Sequence, residues 1–207
     1  MVQISLLLAH PRPNSFNHAL ASAILDELDE AGHTVAFHDL YDEGFDPLLR
    51  PEECYTTGST VEELLASSDD VLVATHREEI ADADGLVVVH PNWWGKPPAI
   101  LAGWLDRVLV PGVAYRLTDA TGEPDGLLSL RAALVVNTTD TPAQREAEVL
   151  GDPLASIWTR CVLPYCGVRT VDRVVVGPVT DSTARARSEW LDEVARRTTD
   201  LFGLAEP

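Results

Sequence analysis

The sequence predicts an α/β fold in which five parallel strands form a doubly wound sheet in the order 2-1-3-4-5. Three observations lead to this prediction. Five short apolar runs alternate with longer segments of helical periodicity, as strands and crossover helices do in such sheets. The first run is almost entirely apolar, which is typical of a strand buried on both faces. No G-x-G-x-x-G pattern follows it, which argues against a dinucleotide-binding half of the Rossmann type.

Each element has its own local signal. Strand one ends in a polar, proline-stiffened loop, and the first helix begins at Ser15, a common N-cap residue, and ends before Gly32. An apolar residue recurs at every fourth position of that helix. Pro97 and Pro98 suit the first turn of a later helix. The predicted strands cover residues 2–9, 34–39, 85–90, 132–137 and 170–176. The predicted helices cover residues 15–31, 70–83, 97–109, 142–165 and 183–202.

Two segments interrupt this alternation. Residues 40–68 contain several proline and glycine turn signals, with a short helix expected near 61–66. Residues 117–128 are polar and rich in glycine, and we predict a loop there. Long excursions of this kind in compact domains are often functional or contact a partner.

Length, charge and cysteine content set the outer bounds of function. The 207 residues predict one domain spanning 1–207, and the net charge of −18 argues against binding to nucleic acid or to an anionic membrane. No apolar run reaches transmembrane length, so we expect no membrane insertion. Cys54, Cys161 and Cys166 form neither an even framework nor a metal spacing, which favours the cytoplasm. We expect Cys161 and Cys166 in the core, and no metal site.

The loop after strand one has the composition of an anion site. It contains His10, Arg12, Ser15, Phe16 and Asn17 at the start of a helix, where unpaired backbone N–H groups attract phosphate. The alternative is a capped helix with a solvated loop. Because ligands bind at the carboxyl ends of strands in open α/β sheets, we favour a phosphorylated cofactor here.

The loop after strand three contains two adjacent tryptophans. It reads from Pro91 and Asn92 through Trp93 and Trp94 to Gly95, with Lys96 and two prolines behind. Both rings cannot enter the core without burying loop backbone, so a flat aromatic cofactor stacked on one ring is the favoured interpretation. The alternative is that both rings close the core beneath the loop.

The loop after strand four offers hydroxyl groups at the same edge of the sheet. Thr138 and Thr139 supply hydroxyl and backbone donors, although this segment also suits a helix N-cap, and both roles are compatible. His90, at the end of strand three, is a candidate to support the site from behind. Tyr115 is a candidate to line a pocket.

The loops after strands one and three resemble a known family. Residues 9–17 and 91–108, continuing through 111–115, are similar to the NAD(P)H:quinone oxidoreductases of DT-diaphorase type, flavoproteins of flavodoxin-like fold. The resemblance implies a bound flavin, FAD or alternatively FMN, at the interface of an obligate homodimer. It implies NAD(P)H as the electron donor and a quinone-type acceptor.

The resemblance also assigns roles to individual residues. It implies that His10, Ser15, Phe16 and Asn17 bind the phosphate and ribityl part of the flavin. It implies that the isoalloxazine contacts a second group of residues: Pro91, Asn92, Trp93, Trp94 and Gly95. Thr138 and Thr139 match the Thr-Thr loop of the family. Tyr115 would line the substrate pocket. Tyr115 and Trp94 are the two residues expected to act in catalysis.

The segment after Thr139 departs from the family pattern. Animal members have a Gly-Gly turn followed by a tyrosine and a histidine thought to assist hydride transfer, whereas no Tyr or His occurs between Thr138 and Asp152 here. The roles of this tyrosine and histidine therefore cannot be assigned to residues of this chain. The natural acceptor is also left open, because this loop shapes the substrate pocket of the family.

The resemblance implies a two-electron, ping-pong transfer of hydride from NAD(P)H through flavin N5 to the acceptor. Backbone N–H groups of residues 93–95 and 138–139 are expected to stabilise charge on the reduced flavin. The alternative role is a regulatory subunit of a potassium efflux system, with secondary reductase activity. A flavodoxin-type electron carrier is disfavoured, because such carriers need no nicotinamide pocket.

Overall fold

The computed structural model describes residues 2–56, 58–117 and 123–203, and its centre is a parallel sheet of five strands. The sheet has the spatial order β2-β1-β3-β6-β7, while β4 and β5 form a separate two-stranded hairpin. Because β6 and β7 are the fourth and fifth strands of the main sheet, this confirms the predicted order 2-1-3-4-5. The strands are β1 (Gln3–Leu8), β2 (Thr34–Asp39), β3 (Gly85–Pro91), β4 (Tyr115–Leu117), β5 (Pro124–Gly126), β6 (Ala132–Thr138) and β7 (Val171–Val176).

Helices cover both faces of this sheet. The longer ones are α1 (Phe16–Glu30), α3 (Val71–Asp82), α4 (Ala99–Val108) and α8 (Ala184–Phe202). The shorter ones are α2 (Val61–Leu65), α5 (Ala143–Arg145), α6 (Pro153–Ser156) and α7 (Leu163–Tyr165). No helix among the described residues combines the length and the apolar character that crossing a bilayer requires.

The core is divided by the sheet into two apolar layers. On one face Leu20 and Ile24 of α1 and Val194 of α8 pack against the strands. On the other face Trp104 of α4 and Trp158, in the helical segment after β6, are buried against the sheet. Every residue of β3 and of β6 is buried, so these two strands form the rigid centre from which the site loops emerge.

Three local predictions differ from the structure. Residues 124–126 are not loop but form β5, which pairs antiparallel with β4. The predicted helix over 142–165 is interrupted at Gly151 and Asp152, which both have positive φ, and it contains wide π-type turns. Cys161 is exposed, so its expected place in the core was wrong, whereas Cys166 is buried. The short helix predicted near 61–66 is present as α2.

Candidate active site

A cavity of about 290 Å³ lies at the carboxyl ends of β1, β3 and β6. It collects nine of the eleven residues expected to bind a cofactor, which come from three loops far apart in the chain. The wall includes His10, Ser15, Phe16, Asn17, Pro91, Asn92, Trp93, Thr138 and Thr139. The convergence follows from the parallel sheet, since the carboxyl ends of neighbouring strands share one edge.

The first turn of α1 presents unpaired donors at this edge. Ser15 is the N-cap residue by position, but its side chain makes no capping hydrogen bond. The backbone N–H groups of Phe16 and Asn17 have no acceptor among the described residues. A helix of 15 residues with uncapped N–H groups attracts anions. The first turn therefore suits a phosphate, as the sequence predicts.

The Ser15 hydroxyl is instead engaged with His18. Ser15 Oγ lies 2.9 Å from His18 Nδ1, and His18 Nε2 lies 3.0 Å from Asp39 Oδ2. In neutral His18 the carboxylate accepts the Nε2 proton, so Nδ1 accepts the hydroxyl proton of Ser15. In that form of His18, Ser15 presents lone pairs rather than its proton to its other neighbours.

His10 contributes an aromatic face more than a charge. Burial lowers the pKa of His10 below its usual 6.5. Its Nδ1 accepts a hydrogen bond of 3.1 Å from the backbone N–H of Arg12, and its ring centroid lies 6.1 Å from that of Trp93. Any positive charge at this end of the cavity therefore comes from Arg12.

The loop after β3 is a tight turn attached to β6. Trp93 and Lys96 exchange backbone hydrogen bonds, while Trp94 and Gly95 at the tip have φ of 60° and 72°. The side-chain Oδ1 of Asn92 accepts from the backbone N–H of Gly95 at 2.9 Å. The backbone N–H of Asn92 donates to the carbonyl oxygen of Thr138 at 2.7 Å.

The donors expected of residues 93–95 and 138–139 are therefore mostly occupied. The N–H groups of Trp93 and Gly95 bond within the turn, and that of Thr139 bonds to β7. In the turn, only the N–H of Trp94 has no acceptor among the described residues. The expectation of a row of free backbone donors was thus too broad, because this turn closes on itself.

His90 supports the loop from the core. Its Nδ1 lies 2.8 Å from the carbonyl oxygen of Pro91, and its Nε2 lies 3.0 Å from Trp158 Nε1. Since the indole can only donate, Nε2 accepts and Nδ1 carries the proton. Burial lowers the pKa of His90 to about 4. A neutral imidazole of fixed tautomer therefore holds the Pro91 carbonyl in the cavity wall, the supporting role expected of His90.

Comparisons with known proteins agree with this geometry. A family model described as flavodoxin-like fold matches residues 3–198. Ribosyldihydronicotinamide dehydrogenase [quinone] of Rattus norvegicus is 31% identical over 97% of this chain and 97% of its own. The chain belongs to the NAD(P)H:quinone oxidoreductase family. An uncharacterized NAD(P)H oxidoreductase of Haemophilus influenzae is 30% identical, over 93% and 92% of the two chains.

Comparisons with solved structures extend the likeness to three dimensions. An NAD(P)H:quinone oxidoreductase from Methanothermobacter marburgensis has a TM-score of 0.80 at 26% identity, over 99% of both chains. A protein described as a putative quinone reductase from Klebsiella pneumoniae has a TM-score of 0.85 at 23% identity, over all of this chain and 87% of its own. The first supports the predicted oxidoreductase class, and the second supports the fold.

Three of the expected site residues lie outside the cavity wall of the single chain. Gly95 and Trp94 are at the tip of the turn, and Trp94 is 96% exposed. Tyr115 lines a separate groove with Leu105 and Tyr165, where none of the other expected residues lies. In the single chain, Tyr115 therefore lies apart from the cavity that gathers most of the other expected residues.

The loop after β7 also lines the cavity, although no site residue was expected there. Val179 and Thr180 complete the cavity wall, and the backbone N–H of Thr180 donates to Asp140 Oδ1 at 2.7 Å. The turn signal Gly177-Pro178 at the end of β7 could have indicated this fourth loop. Thr141 also lines the wall, so the segment after β6 contributes more than its two leading threonines.

One cluster outside the cavity has the composition of a metal site. Potential ligand atoms of His38, Glu43 and His76 lie within 4.8 Å of one another. However, Trp104 Nε1 donates to His76 Nδ1 at 2.7 Å, so the proton of neutral His76 is on Nε2, the nitrogen nearest Glu43. Burial lowers the pKa of His76 to about 3, and the repulsion of nearby His38 adds to this. A protonated Nε2 cannot bind a metal, so we interpret the cluster as structural.

Proposed function

We propose that the protein is a flavin-dependent NAD(P)H oxidoreductase that reduces a quinone-type acceptor by two electrons in a ping-pong reaction. The observation that supports this most strongly is the cavity at the sheet edge. It gathers residues that the sequence assigns to a flavin from three loops, in a chain whose relatives are named as quinone-dependent dehydrogenases. The net reaction takes NAD(P)H, one proton and a quinone to NAD(P)⁺ and a hydroquinone.

The residues present fit a flavin. The first turn of α1 is uncapped, and its N–H groups at Phe16 and Asn17 have no acceptor in the described part of the chain. This turn is suited to a phosphate of FMN or to the pyrophosphate of FAD. Pro91, Asn92 and Trp93 form a wall with a ring and a backbone edge, which is suited to a flat heterocycle. When bound, the flavin supplies the hydride-accepting and hydride-donating chemistry at N5.

The protein's own contribution is to bind, orient and exclude water. Neutral His90 fixes the Pro91 carbonyl, Asn92 fixes the turn, and the N–H of Trp94 is free to donate to a ligand. The ionisable residues of the wall are His10, Arg12 and Asp140. We propose that no side chain is an essential acid or base, so the proton of the hydroquinone comes from solvent.

We further propose that the active form is a homodimer in which each site is completed by the partner. The exposed indole of Trp94 and the groove around Tyr115 support this, because large exposed apolar surfaces mark association sites. In the dimer, Tyr115 of one chain would line the acceptor pocket of the other. The three free cysteines support a cytoplasmic location.

The test is an absorbance spectrum of the purified protein, followed by chromatography of the released cofactor. We expect flavin bands that NADH or NADPH bleaches anaerobically and that a soluble quinone restores, and the chromatogram identifies FAD or FMN. Sedimentation equilibrium of the same sample tests the dimer. A colourless protein that binds neither flavin on reconstitution would contradict the proposal.

A further inference from the structure

A buried carboxylate lies directly behind the cavity wall. Glu146 is on the π-type turn Glu146–Leu150 after β6, and only 5% of the residue is exposed. Its Oε1 accepts a hydrogen bond of 3.1 Å from Asn92 Nδ2. Its Oε2 has no partner among the described residues. A buried ionisable oxygen without a partner is costly, and such oxygens are few in folded proteins.

This contact determines the orientation of the Asn92 amide. A carboxylate can only accept and a backbone N–H can only donate, so Nδ2 must face Glu146 and Oδ1 must face Gly95. Glu146 thus acts through Asn92 on the turn that contains Trp94. The distance from Asn92 Oδ1 to the N–H of Gly95 is 2.9 Å, so the turn at the cavity edge is held by this two-step connection.

The surroundings of Glu146 are also polar and incompletely paired. The backbone N–H of Asp152 donates to the carbonyl of Glu146, and Asp152 Oδ2 pairs with Arg173 Nη1 at 2.7 Å. Arg173 Nε donates to Asn137 Oδ1 at 2.8 Å. Of the four buried side-chain atoms without partners in the described residues, three belong to this network: Asn137 Nδ2, Glu146 Oε2 and Arg173 Nη2.

We infer that Glu146 is a positioning residue of the flavin site, acting through Asn92 on the turn formed by residues 93–96. This inference rests on the proposed function. It also assigns a role to the segment that departs from the family pattern, where no tyrosine or histidine is present. Glu148, two residues further along, is exposed and bonds to Gln144, so burial distinguishes Glu146 from its neighbour.

The first experiment titrates apo protein with the flavin identified above and measures its dissociation constant by quenching of flavin fluorescence. Glu146→Ala should weaken binding by about tenfold or more, the usual effect of losing a charged hydrogen bond. Glu146→Gln keeps an acceptor for Asn92 and should bind within about threefold of wild type. Glu148→Gln is the matched surface control and should bind as wild type does. A dissociation constant for Glu146→Ala equal to that of wild type would overturn the inference.

The second experiment tests the contact itself and remains informative if Glu146→Ala does not fold. Asn92→Asp places two carboxylates against each other and should weaken flavin binding by about tenfold or more. Adding Glu146→Gln should restore it, because the new amide can donate to Asp at position 92 while that carboxylate still accepts from Gly95. A merely structural Glu146 would give additive losses and no rescue. Wild-type protein that binds no flavin would contradict the proposed function rather than this contact.

Discussion

The side-chain amide of Asn17 donates a hydrogen bond of 3.0 Å to the hydroxyl of Thr138, although 121 positions separate these residues in the chain. Both side chains are buried, and both line the cavity at the sheet edge. The contact ties the first turn of α1 to the end of β6. The proposed phosphate-binding and ring-binding parts of the site are therefore joined in one rigid unit before any ligand enters.

Replacing Asn17 by leucine should therefore affect both stability and flavin binding. The change leaves the Thr138 hydroxyl without its buried partner, and we expect a loss of about 1–3 kcal/mol in the free energy of unfolding. Urea denaturation of the apo protein measures the loss. In the double variant Asn17→Leu/Thr138→Val both polar partners are gone, so its loss should be smaller than the sum of the two single losses. Strict additivity would show that the two side chains do not interact.

The exposed indole of Trp94 should behave differently from the buried tryptophans. Trp94→Ala removes a side chain that contacts little within the chain, so the free energy of unfolding of the monomer should change by less than about 0.5 kcal/mol. Flavin binding or turnover should nevertheless weaken, because we assign this ring to the flavin.

Trp104→Ala is the contrasting variant. Trp104 is fully buried and donates to His76, so its truncation should cost about 3–5 kcal/mol of stability. Unchanged flavin content and turnover in Trp94→Ala would remove Trp94 from the site.

The sequence was sufficient to predict the fold and most of the cavity wall, because both depend on local signals. Apolar runs predict the strands, and the parallel topology brings the loops that follow them to one edge. Ser15, Asn92 and Thr138 could therefore be grouped from their positions alone. The same logic does not group Tyr115 with them, because Tyr115 lines a separate groove in the single chain.

The network behind the wall could not be predicted, for a different physical reason. Glu146 lies where a regular helix was expected, but the chain forms wide π-type turns and breaks at Gly151 and Asp152. Such turns shift which side chains face the core, so the usual helical periodicity no longer identifies buried positions. Glu146, Asn137 and Arg173 are thus visible as a group only in the folded chain.

A buried ion pair anchors the long excursion of residues 40–68 and should make the protein acid-sensitive. Burial alone would raise the pKa of Glu53, but hydrogen bonds from Arg107, Ser68 and the backbone of Arg50 lower it from 4.5 to about 2. Arg107 Nη2 lies 2.6 Å from Glu53 Oε1, and both side chains are fully buried.

The direction of the pH effect follows from this lowered pKa. The unfolded chain takes up a proton at Glu53 near pH 4.5, whereas the folded chain does so only near pH 2. The ion pair therefore contributes fully to the free energy of unfolding above pH 4.5. On the order of 3 kcal/mol of this contribution is lost as the pH falls from 4.5 to about 2.

The variant Glu53→Gln should lose this contribution at pH 7, where breaking a buried pair typically costs about 3–5 kcal/mol. Denaturant unfolding at pH 7 and at pH 3 should show the gap to wild type narrowing in acid. The exposed neighbour provides the control, and Glu52→Gln should follow the wild-type curve at both pH values. A gap that is the same at both pH values would show that folding does not lower the pKa of Glu53.

His90 should make the free energy of unfolding depend on pH in a second, higher pH range. Burial lowers its pKa from 6.5 to about 4, and the positive charge of Arg173 adds to this, against the opposing effect of the hydrogen bond to Pro91. Between these values the unfolded chain binds a proton at His90 and the folded chain does not. The contribution of neutral His90 to the free energy of unfolding is thus present above pH 6.5. It is lost as the pH falls toward 4, by up to about 1.4 kcal/mol for each pH unit.

Two variants separate the titration of His90 from its hydrogen bonds. His90→Gln has no ionisable ring, so its unfolding free energy should fall less steeply than that of wild type between pH 6.5 and 4. Trp158→Phe loses the indole donor but leaves His90 buried, so its stability should be lower at every pH while its slope stays that of wild type. Parallel curves for wild type and His90→Gln would mean that His90 has an ordinary pKa. In that case it could not hold the Pro91 carbonyl as a permanently neutral donor, and the wall of the flavin site would itself change with pH.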